Sequence, residues 1–87
     1  MATRQSVNEL IEQCTDALNC AQEQCKEASL QEHYNNEQYI EAQMNLEQAY
    51  NDLHTMDHSA NQQQREQLHR MRLQIEQMQN KMTLQSH

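Results

Sequence analysis

The chain predicts an all-α fold, an antiparallel three-helix bundle, and three observations carry that expectation. Its 87 residues include no glycine and no proline. Proline fixes φ and deletes a donor, and glycine supplies the positive φ of hairpin turns, so a chain with neither is poorly equipped for tight β-hairpins. Its apolar residues recur in steps of three and four, the period of a helix face. That stripe breaks twice, around residues 31–36 and from 57 to 67, where only Ala60 is apolar, and three segments of similar length result.

The first helix is expected over about 6–29. Ser6-Val7-Asn8-Glu9 fits a capping box, in which hydroxyl and carboxylate each satisfy an amide left open by the first turn. Val7, Cys14, Ala21 and Ala28 then fall every seven residues, with Leu10, Ile11, Ala17, Leu18 and Cys25 between them. A stripe that wide can touch two partners. Its middle is small (Cys14, Ala17, Ala21, Cys25), which lets neighbouring helices approach closely at interior density.

The second helix is expected over about 37–56. Asn35 and Asn36 tolerate a left-handed backbone and can cap, and Glu37 suits the positive end of a helix dipole. Tyr39, Ala42, Leu46, Ala49, Leu53 and Met56 follow in alternating threes and fours, a coiled-coil pattern. The third helix is expected over about 60–84, opened by Ser59-Ala60-Asn61-Gln62 as a second capping box and carried by Leu68, Met71, Ile75, Met78 and Met82. Eight glutamines between 62 and 85 make a solvated helix face.

Phase alone permits another fold. At 100° per residue the last two stripes differ by only about 30°, so a helical hairpin with one long helix, paired in a dimer, is the alternative. Length and charge favour three helices in a single domain spanning 1–87. Residues 1–58 hold eleven Asp and Glu against Arg4 and Lys26, while residues 59–87 hold Glu66 and Glu76 against Arg65, Arg70, Arg72 and Lys81. A basic third segment folds back favourably on two acidic ones, although each surface pair contributes little.

Composition narrows the function classes. A net charge of −7 opposes nucleic-acid binding, which needs a basic face to displace counterions. No stretch approaches the length of a membrane span, and Arg4 is followed by no apolar targeting segment. Three cysteines, an odd number without a CxxC, fit a reducing cytoplasm. The low apolar content of 36% and the absence of Phe and Trp predict a thin core, modest in stability and open to support from self-association.

Chemistry finds little footing. There is no Gly-rich phosphate loop, nucleophile elbow or Cys/His catalytic motif, so no enzyme, no cofactor and no catalytic residue are expected. His54 and His58 stand four apart beside Asp57, a spacing that can hold zinc, yet two ligands do not complete a site, and no metal site is expected. Cys14 and Cys25 lie three turns apart on one face, too far for a disulfide within one helix, and read as small core residues. Cys20 is turned off the stripe and is the accessible thiol, with no basic neighbour to activate it. Ile40 and Met44 point away from the second stripe, and Leu73 and Leu84 away from the third. A chain folding back near residue 58 brings Leu73 level with Met44, so Ile40, Met44 and Leu73 are the candidate partner-binding residues.

The opening Met1-Ala2-Thr3-Arg4-Gln5-Ser6-Val7 and the run Ser59-Ala60-Asn61-Gln62-Gln63-Gln64-Arg65-Glu66-Gln67-Leu68 resemble a small helical family of endospore-forming Firmicutes, the YtzC-like proteins. The resemblance covers nearly the whole chain and implies a short cytoplasmic protein of unknown role. It carries over no functional residues. The expected function is therefore helix-mediated interaction with a protein partner or a second copy, as an adaptor or regulator. The alternative is a thiol- or metal-responsive sensor using Cys20 or His54/His58.

Overall fold

A computed structural model describes residues 3–30 and 36–85 of the chain. Three α-helices fill them: α1 (Arg4–Leu30), α2 (Asn36–Asp57) and α3 (Gln62–Gln85). Every pair of helices is in contact, giving a three-helix bundle about 47 Å long and 15–19 Å across. The long dimension matches the 27-residue α1 at about 1.5 Å per residue. The expected break at Gln31–Asn36 falls mostly on residues 31–35, outside the described residues; Asn36 is already the first residue of α2.

The path is up, down, up. Tyr39, near the start of α2, donates from its hydroxyl to the Met82 carbonyl near the end of α3, at 2.7 Å. The Gln85 amide donates to the Cys25 carbonyl at 2.9 Å, so the last turns of α1 and α3 lie together. Thus α2 runs antiparallel to both of its neighbours. The long-helix alternative is overturned, because α2 ends at Asp57 and α3 starts at Gln62.

Four residues make the reversal. The amides of His58, Ser59 and Ala60 donate three residues back, to Thr55, Met56 and Asp57, which tightens the end of α2 into a 3₁₀ turn. The Arg65 Nε caps the Asp57 carbonyl at 3.2 Å. Among the described residues none has a positive φ. The missing glycine therefore costs nothing here: an arginine from the next helix does what a left-handed C-cap does elsewhere.

Both serine capping boxes are corrected. α1 starts two residues before Ser6, with Thr3 as its cap: the Ser6 amide donates to Thr3 Oγ1 at 3.0 Å, and the Val7 amide to the Thr3 carbonyl. α3 is opened by Asn61, not Ser59. The Gln64 amide donates to Asn61 Oδ1 at 2.8 Å, and Gln64 Oε1 accepts from the Asn61 amide at 3.0 Å, a reciprocal box. Ser59 instead donates back to the Met56 carbonyl at the end of α2.

One core runs the length of the bundle. It takes Val7, Leu10, Cys14, Leu18, Ala21 and Cys25 from α1, and Tyr39, Ala42, Leu46, Ala49 and Leu53 from α2. Ala60 from the turn joins them, with Leu68, Met71, Ile75, Met78 and Met82 from α3. Ile11, Ala17, Ala28, Tyr50 and Met56 pack against its edge. No charged or polar side chain is buried among the described residues, so the core is held by apolar burial.

Candidate functional site

The three grooves between the helices differ in chemistry. The α2/α3 groove is bridged by side chains. Arg72 lies over the Tyr50 ring, 5.2 Å from its centroid, and its Nη2 donates to the Tyr50 hydroxyl at 3.3 Å. That hydroxyl donates to Glu76 Oε1 at 3.0 Å. Together with the Tyr39–Met82 bond, this ties α2 to α3 at two levels.

The same bonds set the register of the apolar residues that face outward. Ile40, Met44, Leu73 and Leu84 are 46%, 63%, 45% and 73% exposed, while the core closes without them. Tyr50 meets Arg72 and Glu76, so Leu73 stands level with Tyr50 and not with Met44, about 9 Å further along the axis. The expected alignment of Leu73 with Met44 is corrected. The turn centres near residue 60, not 58, and moves α3 along α2. By the Tyr39–Met82 bond Ile40 falls level with about Lys81, and Leu84 lies about 4.5 Å beyond it.

The α1/α2 groove is an open trough. Two cavities of about 450 and 320 Å³ follow one another along it and share Leu10, Gln13 and Asp52 in their walls. Leu10, Ala17, Ala49 and Met56 supply its apolar lining, among neutral polar side chains that include Gln13, Asn45, Gln48 and Thr55. Glu9, Asp16 and Asp52 supply the charge, and neither cavity is lined by Lys, Arg or His. The α1/α3 groove holds a third cavity, lined by Leu18, Gln22, Gln74, Gln77, Met78 and Lys81, with no carboxylate.

The cysteines divide as expected. Cys14 and Cys25 are buried and Cys20 is exposed, all three as free thiols. Cys20 lines the trough beside Asp16 and Ala17. Burial, and then the charge of Asp52, pushes the Cys14 thiol up from an ordinary 9.0 to about 11. The His54 and His58 rings meet edge to face with centroids 5.3 Å apart. Among the described residues no three His, Cys, Asp or Glu side chains group closely enough to hold a metal ion. No helix is long and apolar enough to cross a membrane, again among the described residues.

The trough is what sequence reasoning missed. Its carboxylates look like ordinary helix-surface charges in the sequence. Their one signal is spacing: Glu9 and Asp16 stand seven apart, along the same edge of the α1 stripe as Ala17 and Cys20. Asp52 on the facing helix becomes their neighbour only once the two helices pack.

Comparison with known proteins places the chain among relatives whose role is not described. A family model described as a protein of unknown function, DUF2524, matches residues 1–84. The chain is 58% identical over 85 residues to the uncharacterized protein YtzC of Bacillus subtilis (strain 168), covering 98% of this chain and 94% of that protein. No solved structure matches it.

Proposed function

The chain belongs to the DUF2524 family of proteins of unknown function, and we propose that it is a non-enzymatic interaction protein. It works in the cytoplasm as an adaptor or regulator, burying an outer helix face against a partner protein or a second copy of itself. The observation that carries this reading is the exposure of Ile40, Met44 and Leu73 in a bundle whose core is already complete. Fully burying one such side chain from full exposure is worth about 1.5–3 kcal/mol, and with about half of each still exposed, two or three together give an interface about 2–4 kcal/mol.

Sedimentation equilibrium of the reduced protein, run beside an Ile40→Lys/Met44→Lys variant, tests it. The wild type is expected to gain mass with concentration and the variant to stay monomeric at unchanged helicity. A wild type that is monomeric throughout removes self-association. Equal capture of cellular proteins by wild type and variant would then end the reading.

A second reading is a metal- or thiol-responsive sensor, favoured by the 5.3 Å separation of the His54 and His58 rings. The rings stand edge to face at 79°, so holding one divalent ion requires them to turn until a nitrogen of each points at the same place. Zinc added with and without chelator distinguishes the two readings. A sensor gains thermal stability that His54→Ala removes, while an interaction protein melts at the same temperature in both.

A further inference from the structure

We propose that the trough between α1 and α2 is a docking site for a cationic amphipathic helix of about four turns, supplied by a partner protein. Leu10, Ala17, Ala49 and Met56 give it an apolar seam, and its walls carry Glu9, Asp16 and Asp52 with no cation of their own. Three of the four arginines are engaged elsewhere, and Arg4 lines a cavity between α1 and α3 instead. Arg65 caps the Asp57 carbonyl, Arg70 pairs with Glu66 at 3.0 Å, and Arg72 lies on Tyr50. The rim carboxylates meet neutral donors, Gln48 on Asp52 at 3.0 Å and Gln5 on Glu9 at 3.2 Å, which leaves their charge to be matched by Lys or Arg beside an apolar seam.

Size and shape agree with that occupant. The trough follows α1 from Ser6 to Cys20, about 21 Å, the length of a helix of about 14 residues. Ala17 and Ala49 leave room between the rims for leucine-sized knobs at helical spacing, and the fourth helix converts three into a four-helix bundle. An anionic partner, whether an acidic peptide or a nucleic acid, is repelled by the same three carboxylates.

Cys20 supplies the test, because it is exposed, lines the trough, and is the one cysteine not buried in the core. The probe is a synthetic 14-residue helix with a leucine seam and lysine elsewhere, compared with its glutamate counterpart. The readout is the rate at which a maleimide alkylates Cys20. With peptide at about five times its Kd, mass action leaves about one site in six free, so alkylation slows about sixfold. The slowing weakens as salt screens the rim, and the glutamate peptide has no effect.

Asp16→Lys/Asp52→Lys is expected to lose the protection, and the milder Asp16→Asn/Asp52→Asn to reduce it if the lysine variant is misfolded. Glu23→Lys/Glu47→Lys has the same net charge as the first variant but lies outside the trough, and keeps it. Absence of protection in the wild type, or equal protection in all variants, overturns the proposal. The inference rests on the reading that the chain works by binding helices, on a different face. The Ile40→Lys/Met44→Lys variant separates the two: unchanged Cys20 protection with lost self-association means that the trough and the outer patch act independently.

Discussion

At the scale of single residues, small side chains decide how the molecule is built. Cys14, Ala21 and Cys25 are buried at spacings of seven and four, and all three were legible as core because a 3.6-residue period leaves few other places for them. The environment of Cys14 was not legible, since the charge that acts on it, Asp52, comes from another helix. That environment has a consequence in alkali. The Cys14 thiol keeps its proton to about pH 11 in the folded chain but loses it near 9.0 when unfolded, so above 9 the unfolded state binds fewer protons. Its contribution to stability is complete below pH 9 and is lost as pH rises toward 11. Urea midpoints measured at about pH 8 and about pH 10.5 should fall further for the wild type than for Cys14→Ala. Equal losses would mean that the thiol is not what titrates.

At the scale of elements, the helices were plain and their ends were not. A capping box is a short, degenerate pattern, and Ser6-x-x-Glu9, Ser59-x-x-Gln62 and Asn61-x-x-Gln64 all satisfy it. Geometry selects the last, because the 3₁₀ turn at His58–Ala60 uses up Ser59 before α3 can begin. Removing that cap by Asn61→Ala should cost about 1 kcal/mol in urea unfolding. Gln64→Ala should cost less, and the double variant less than the sum, because the two side chains form one reciprocal unit. Additive losses would show that the pair does not act together. Thr3 at the start of α1 carries the same lesson: the true cap stood three residues before the expected one.

At the scale of the whole molecule, charge asymmetry pointed to the right topology through contacts it did not foresee. The basic α3 does fold back on α2, yet two of its arginines reach that helix through a backbone carbonyl and a tyrosine ring, and a third pairs within α3 itself. Exposed ion pairs contribute little, so a capped carbonyl and a half-buried stacked guanidinium are the stronger use of the same cations. These contacts also lock α2 to α3 and leave the α1/α2 trough as the groove whose charge is unanswered. The register follows from the same bonds. It separates Leu73 from Met44, so the outer apolar residues of α2 and α3 are staggered along the bundle.

By itself the sequence determined that the chain is helical, which helix faces form its core, and that Ile40, Met44, Leu73 and Leu84 stay outside it, while Ala60 joins the core only through the turn. The features legible in the sequence depend on where a residue falls in a period of 3.6 along its own helix, a local property. Tertiary structure alone decided where the turn closes, how far α3 slides along α2, and which carboxylates share a groove. Those depend on pairs of residues far apart in the chain, such as Tyr39 with Met82 or Asp16 with Asp52, whose meeting is fixed by packing and by the four residues that join the helices.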